Sequence, residues 1–324
     1  MLIFIVLITF LILIWAYLFH DKYKPSKHHI PEDSFYKGKA RITLHFYSSP
    51  MGINWSSPRS LFYSSFINQI LPMNRAISHV AIEVQSSQSA QLHYYNFTSM
   101  TDTDKDVFQK LFKEKLGLGM LVTTYPGALE NSGALQKELK RKRRYGRVHS
   151  LTYLVNDTII DRVKKYLEEY IECGNNKVYA GLDKDPRYKE GAGCLAFCRS
   201  VIEIAGLDKE EFHQRWNQVI KIPHRLIGQF QENGVSLFKI ILSSKSMSWA
   251  SEDEAYTPIK FWDLDSIFKS LENLGVFLDC KQPNIIINEK FIEKMEYRKI
   301  IGSYEFLFDR SEITPPNDPF WLER

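Results

Sequence analysis

Cysteine is scarce in this 324-residue chain: it has four, Cys173, Cys194, Cys198 and Cys280. Four is too few for a disulfide scaffold, and no pair has zinc-ribbon spacing. Cys194 and Cys198 fall on one face of a helix, but no nearby CxxC or HxxxH completes a ligand set, so neither a metal nor a cofactor is expected. Charge of one sign is scarce too. Lys and Arg number 42 against 38 Asp and Glu, a net charge of +4, which gives no ground for expecting nucleic acid as a partner. No internal repeat is visible. What the chain has in quantity is apolar and aromatic side chains, 44% and 14%, beside 25% charged. That balance belongs to a folded globular protein and excludes a disordered or fibrous one.

The one long apolar run lies at the start. Leu2 to Phe19, LIFIVLITFLILIWAYLF, carries neither charge nor proline. As a helix it is roughly 27 Å long, enough to cross the hydrocarbon core. A cleaved signal peptide would need a basic segment before the run and a small-residue cleavage site, and both are missing. The expectation is therefore a single-pass membrane protein: an anchor over 1–20, then a polar tether over 21–40 punctuated by Pro25 and Pro31. Lys22, Lys24 and Lys27 favour a cytoplasmic body, whereas a lone N-terminal span often exports the body of its chain, so the side stays open. Lys137 to Arg147, KELKRKRRYGR, is the one charge run. It reads as a solvated basic face, with contact to anionic lipid headgroups as the sharper alternative.

Periodicity predicts strands at Arg41–Tyr47, Ser78–Gln85, Gln91–Phe97, Met120–Thr124, Val148–Val155 and Val235–Leu242. A turn is expected at Tyr125-Pro126-Gly127. Helices are expected from Ser57-Pro58 to Ile70, after a cap at Asp157 or Thr158, from Cys194 to Ala205, and from Thr257-Pro258 to Gly275. The class is α+β, mainly antiparallel. Residues 41–245 form the expected domain, and 246–324 an extension of no legible role.

The chemistry concentrates in two short stretches. In GAGCLAFCRSVIEIAGL, Gly191 to Leu207, a largely apolar helix begins at Cys194. A packed core helix does not need cysteine at its first position, but a nucleophile gains there. The free N–H groups and the positive end of the dipole lower a thiol pKa and hold a developing oxyanion. Cys198, one turn further on, reads as packing. In SHVAIEVQ, His79 opens a strand and faces away from the Val80, Ile82 and Val84 stripe, a position suited to a base.

SHVAIEV followed by GAGCLAF about 115 residues later resembles the circularly permuted papain-like enzymes related to NlpC-type peptidases and lecithin retinol acyltransferase. The resemblance covers roughly residues 40 to 210. It implies an antiparallel sheet packed on the cysteine-bearing helix, Cys194 as nucleophile and His79 as general base. His93 matches the family's polar residue on the next strand, which orients the imidazole. A hairpin centred on Ser86 pairs His79 with His93; one centred on Gln88 sets His93 opposite Glu83 and leaves Asn96 as the fallback. The implied activity is a membrane-anchored cysteine hydrolase or acyltransferase acting on a peptide, peptidoglycan or lipid substrate through a thioester. The alternative is a non-catalytic binding or scaffold module on the same fold.

Overall fold

The computed structural model describes residues 38–70, 78–88, 93–95, 97–99, 110, 113–208, 216–280, 295–300 and 303–323. The expected anchor at 1–20, the tether as far as Lys37, and Asn96 lie outside them. Among the described residues no helix is long and apolar enough to cross a membrane.

The fold is α+β, as its patterning implies. β1 (Arg41–Tyr47) and β2 (His79–Gln85) pair antiparallel, with Ile42 opposite Val84 and Tyr47 opposite His79. β6 (Val148–Leu154) flanks β1 on the other side, with Leu44 opposite Leu151. β3 (His93–Tyr95) lies outside β2. At the far edge β10 (Met295–Ile300) pairs with β11 (Ser303–Asp309), and β11 runs parallel to β6. The six-stranded order is β10-β11-β6-β1-β2-β3. A smaller sheet joins β4 (Phe97–Ser99), β5 (Tyr125–Leu129) and β7 (Val178–Tyr179), while β8 (Asn217–Pro223) and β9 (Tyr256–Trp262) form a ribbon. The described helices are α1 (Pro58–Ile70), α2 (Ser132–Arg143), α3 (Asp157–Glu172), α4 (Cys194–Ile204), α5 (Leu237–Leu242) and α6 (Leu264–Cys280).

The period-two pattern of the strands divides the large sheet into an apolar and a polar face, and both are buried. Ile42, Leu44, Phe46, Val80, Ile82 and Leu151 share one cluster with Ile160 and Val163 of α3, Phe197 and Val201 of α4, and Ile267 of α6. The reverse face carries Arg41, Thr43, His45, Glu83, Ser150 and Thr152, all buried. α2 covers that side, its Leu135 and Leu139 packing with Tyr47, Ala81 and Val148. Two N-caps set local geometry. Ser57 Oγ accepts the Ser60 N–H at 3.1 Å, as expected. α3 is capped by Asn156, whose Oδ1 accepts the Ile159 N–H at 3.0 Å, one residue before the expected cap.

Four expectations are corrected. A 3-10 turn occupies Leu118–Leu121, where the pattern suggests a strand, and the strand is instead β5, across the supposed Tyr125-Pro126-Gly127 turn. Pro126 is tolerated because it pairs only with Val178, the β4 ladder beginning at Gly127. Val235–Leu242, strand-like in its branched side chains, contains α5, capped by Ser236. Thr257-Pro258 does not open a helix: Pro258 sits in β9, in a ribbon whose outer edge needs no donor, and the helix starts at Leu264. On α3, buried Tyr170 is followed by exposed Ile171, about 100° further around the axis.

The described residues of 246–324 are woven into the same structure rather than appended. β11 extends the main sheet and α6 packs in its core. Helix α6 runs through Gly275, the expected stop. A Cβ there would lie 2.3 Å from the Tyr304 ring, so this glycine serves close approach. Gly275→Ala should destabilise the protein by about 1–3 kcal/mol despite the better helix propensity of alanine. A rise in thermal midpoint would contradict that packing.

Two buried groups make stability pH-dependent. His149 lies between Phe268 and Tyr304, with ring centroids 4.1 and 5.6 Å away, and its Nδ1 accepts the Tyr304 N–H at 2.9 Å. Burial lowers its pKa from 6.5 to about 3. The unfolded chain takes up this proton first, so the contribution of His149 is full above about pH 6.5 and shrinks as pH falls towards 3. Burial alone would raise the Glu83 pKa, but His45 and Arg41 together hold it at about 2 against 4.5. Its contribution is full above about pH 4.5 and is lost as pH falls through 2. Urea midpoints should therefore fall between pH 7 and pH 4, and His149→Leu should flatten that slope. An unchanged slope in the variant would overturn the assignment.

Candidate active site

The loop before α4 is fixed from both sides. Ala192 N–H donates to the Val178 carbonyl at 3.3 Å, and a Cβ on Gly191 would meet that carbonyl oxygen at 2.4 Å, so the loop lies flat on β7 only because residue 191 is glycine. On the other side the C-terminal tail holds Arg187. Its Nη2 donates to the Pro319 carbonyl at 2.6 Å, and its own carbonyl accepts the Leu322 N–H at 2.7 Å. Trp321 Nε1 in turn donates to Glu169 of α3 at 3.0 Å. The loop delivers Cys194 to the first position of α4. Gly193 is the N-cap, in extended conformation, and supplies no capping side chain. The first-turn N–H groups thus have no cap side chain to donate to, an arrangement suited to negative charge.

The two cysteines of α4 differ in environment. Cys198 is fully buried; its thiol donates to the Val80 carbonyl at 3.9 Å, and burial pushes its pKa well up. Cys194 keeps 8% of its surface exposed. The Cys198–Val80 contact also sets α4 over β2, because Val80 follows His79 directly and Cys194 lies one helical turn before Cys198.

His79 is buried at the first position of β2 and tilts against Tyr47, with ring centroids 6.0 Å apart. By parity it shares the Tyr47 and Ala81 side of the sheet, whereas Cys194 belongs to the apolar cluster on the other side. The two side chains can therefore meet only around the end of β2, and position 79 is that end. Its Nε2 lies 3.7 Å from Glu130 Oε2. Glu130 follows β5 directly and precedes Asn131, the cap of α2.

His93 does not stand where either hairpin puts it. The ladder sets His93 opposite Val84, Tyr94 opposite Glu83 and Tyr95 opposite Ile82. His93 is thus five strand residues along from His79, roughly 16 Å. The loop between β2 and β3 is longer than either hairpin allows, and the carboxylate that the structure sets beside the His79 ring is that of Glu130. No spacing in the sequence points to Glu130, 51 residues after His79; only the β4-β5 pairing brings it back.

A second polar cluster escapes sequence reading. On the buried face under α2, Arg41 Nη2 donates to Glu83 Oε1 at 2.9 Å, His45 Nε2 meets Glu83 Oε2 at 3.2 Å, and His45 Nδ1 meets Ser150 Oγ at 2.9 Å. Glu305 pairs with Arg143 at 2.6 Å and with Arg298 at 2.5 Å. A small polar cleft, with room for about one water, lies among these groups. The sequence does carry a signal for it: alternate positions of β1 and β2 are polar on a strand flanked by other strands. The basic run divides accordingly. Lys142 and Arg143 turn inward, while Lys137, Lys140, Arg141 and Arg144 stay exposed or nearly so. Among the described residues no group of three His, Cys, Asp or Glu is placed to hold a metal ion.

The contrast between the thiols is testable. Iodoacetamide at pH 8 should modify exposed Cys173 and Cys280 in the folded protein and leave Cys198 unmodified until denaturant is added. Mass spectrometry of the peptides reads this directly; modification of Cys198 at the rate of Cys173 would contradict its burial.

No family model, curated protein or solved structure matches this chain.

Proposed function

We propose that the chain is a thiol hydrolase or acyltransferase with a permuted papain-like arrangement, held at a membrane by Leu2–Phe19. The observation that carries this reading is Cys194 at the first position of a buried helix whose N-cap, Gly193, offers no side chain. Cys194 Sγ attacks the carbonyl carbon of an amide or ester, and the first-turn N–H groups receive the oxyanion. His79 takes the thiol proton and passes it to the leaving group, giving a thioester. Water or an acceptor then attacks the thioester, with His79 as base, and restores the thiol. With Nε2 of His79 turned to Glu130, Nδ1 takes the proton-accepting role. Glu130 is a positioning residue: its carboxylate fixes the ring and stabilises the imidazolium. Peptide, peptidoglycan stem and lipid all offer the required carbonyl.

An electrophilic thiol probe on the full chain tests the proposal. Cys194 should label faster than exposed Cys173, and Cys194→Ala should abolish both the fast labelling and any turnover, while Cys198→Ala keeps them. Glu130→Gln should slow labelling roughly tenfold or more and shift its pH profile, with an unaltered thermal midpoint. If Cys194 labels no faster than Cys173, the fold serves as a binding or scaffold module instead.

A further inference from the structure

Away from the candidate site, two helices present apolar side chains to solvent. Along α1, Tyr63, Phe66 and Ile67 are 47%, 48% and 38% exposed. Along α5, Phe238 and Leu242 are 70% and 76% exposed, and Met247 just beyond is 62% exposed. Each set follows a helical stripe, at i, i+3, i+4 and at i, i+4. The two helices lie side by side: Arg59 Nη2 donates to the Ser243 carbonyl at 2.5 Å. Tyr63 and Phe66 are one and two turns along the same stripe as Arg59, which reaches the end of α5. Single exposed apolar residues need no explanation, but five on two neighbouring helices, with Met247 just beyond, are the pattern of a contact surface.

The charge pattern says what kind of surface it meets. Between Asp33 and Glu83 there is no acidic residue, and there is none between Glu232 and Glu252, although the chain carries 38. Both helices fall inside these stretches, whose only charged residues are basic, Arg59 and Lys239 on the helices themselves. An aromatic and aliphatic face built from acid-free helical segments that carry Arg59 and Lys239 matches the boundary of an anionic bilayer, where the rings enter the acyl edge and the cations meet headgroups. A protein partner of ordinary composition would not call for the exclusion of every carboxylate. The chain also supplies the means of approach. Residues 20–37 reach at most about 65 Å when fully extended, so a body tethered to the apolar run Leu2–Phe19 stays within that distance of the bilayer.

We propose that the α1–α5 face is a monotopic membrane-docking surface that lies on an anionic lipid bilayer. The proposal rests on the reading of the chain as membrane-attached, and it places the body against the bilayer rather than merely near it.

The test puts the full chain in nanodiscs containing phosphatidylglycerol, with p-benzoylphenylalanine at Phe66, at Phe238 or at Tyr297, a half-exposed β10 residue serving as control. On irradiation, lipid adducts at positions 66 and 238 should exceed those at 297 by roughly tenfold. The double variant Phe238→Glu, Leu242→Glu should remove the adduct at position 66 and leave the thermal midpoint unchanged. Adducts to a second copy of the chain, or equal yields at all three positions, would overturn the proposal. Extraction with alkaline carbonate is read in parallel. A chain that resists extraction without patch adducts has an anchor but no docking face, whereas one that extracts yet gives the adducts has the face without the anchor.

Discussion

The carboxylate of Glu83 is buried in the body of the sheet, and the arrangement on both sides of β2 depends on its being satisfied there. Arg41 and His45, on the neighbouring strand, reach it from one side, and Ser150 on the strand beyond extends the chain of hydrogen bonds. An uncompensated carboxylate in that position would cost several kcal/mol. With its partners in place the three central strands are locked in one register, because a slip of a single residue would carry Glu83 into the apolar face and Ile82 out of it. That register fixes His79 at the end of β2 and Val80 under Cys198, so the geometry of the candidate site follows from a network that takes no part in its chemistry.

The C-terminal quarter has a matching role on the other side. Asp265 at the start of α6 accepts from the Ile53 N–H at 2.9 Å and from Ser49 Oγ at 2.8 Å, pinning the loop after β1. The tail from Arg310 onward then crosses α3 and holds Arg187, a few residues before Cys194. A cysteine on a glycine-rich approach needs such bracing to be held in one place, since the approach itself is conformationally loose. The polar sheet face, the tail and α6 therefore support one short loop and one strand end.

Much of this is legible in the residues, and the misreadings have physical causes. β1, β2, β6 and α4 follow from strong periodicity and from Cys194 at a helix start, because burial of both sheet faces leaves alternation intact while changing what covers it. Pro126 and Pro258 mislead because proline usually marks turns and helix starts, whereas here each sits where a strand edge makes no demand for its N–H. Ser236 outweighs the branched side chains that suggest a strand. His93 fails because hairpin register depends on loop length, and one residue changes every opposite pair. Glu130 is out of reach of any local pattern: only the pairing of β4 with β5 returns it to His79, and such long-range pairing leaves no mark on spacing.

The central claim is that Cys194 is a thiolate nucleophile served by His79. It is tested most directly by the rate of Cys194 alkylation as a function of pH, followed by peptide mass spectrometry on the full chain. The account predicts an inflection well below the ordinary thiol value of about 8.5, moved back towards that value in His79→Ala. A profile for Cys194 that rises only near 8.5 and is indifferent to His79 would contradict it.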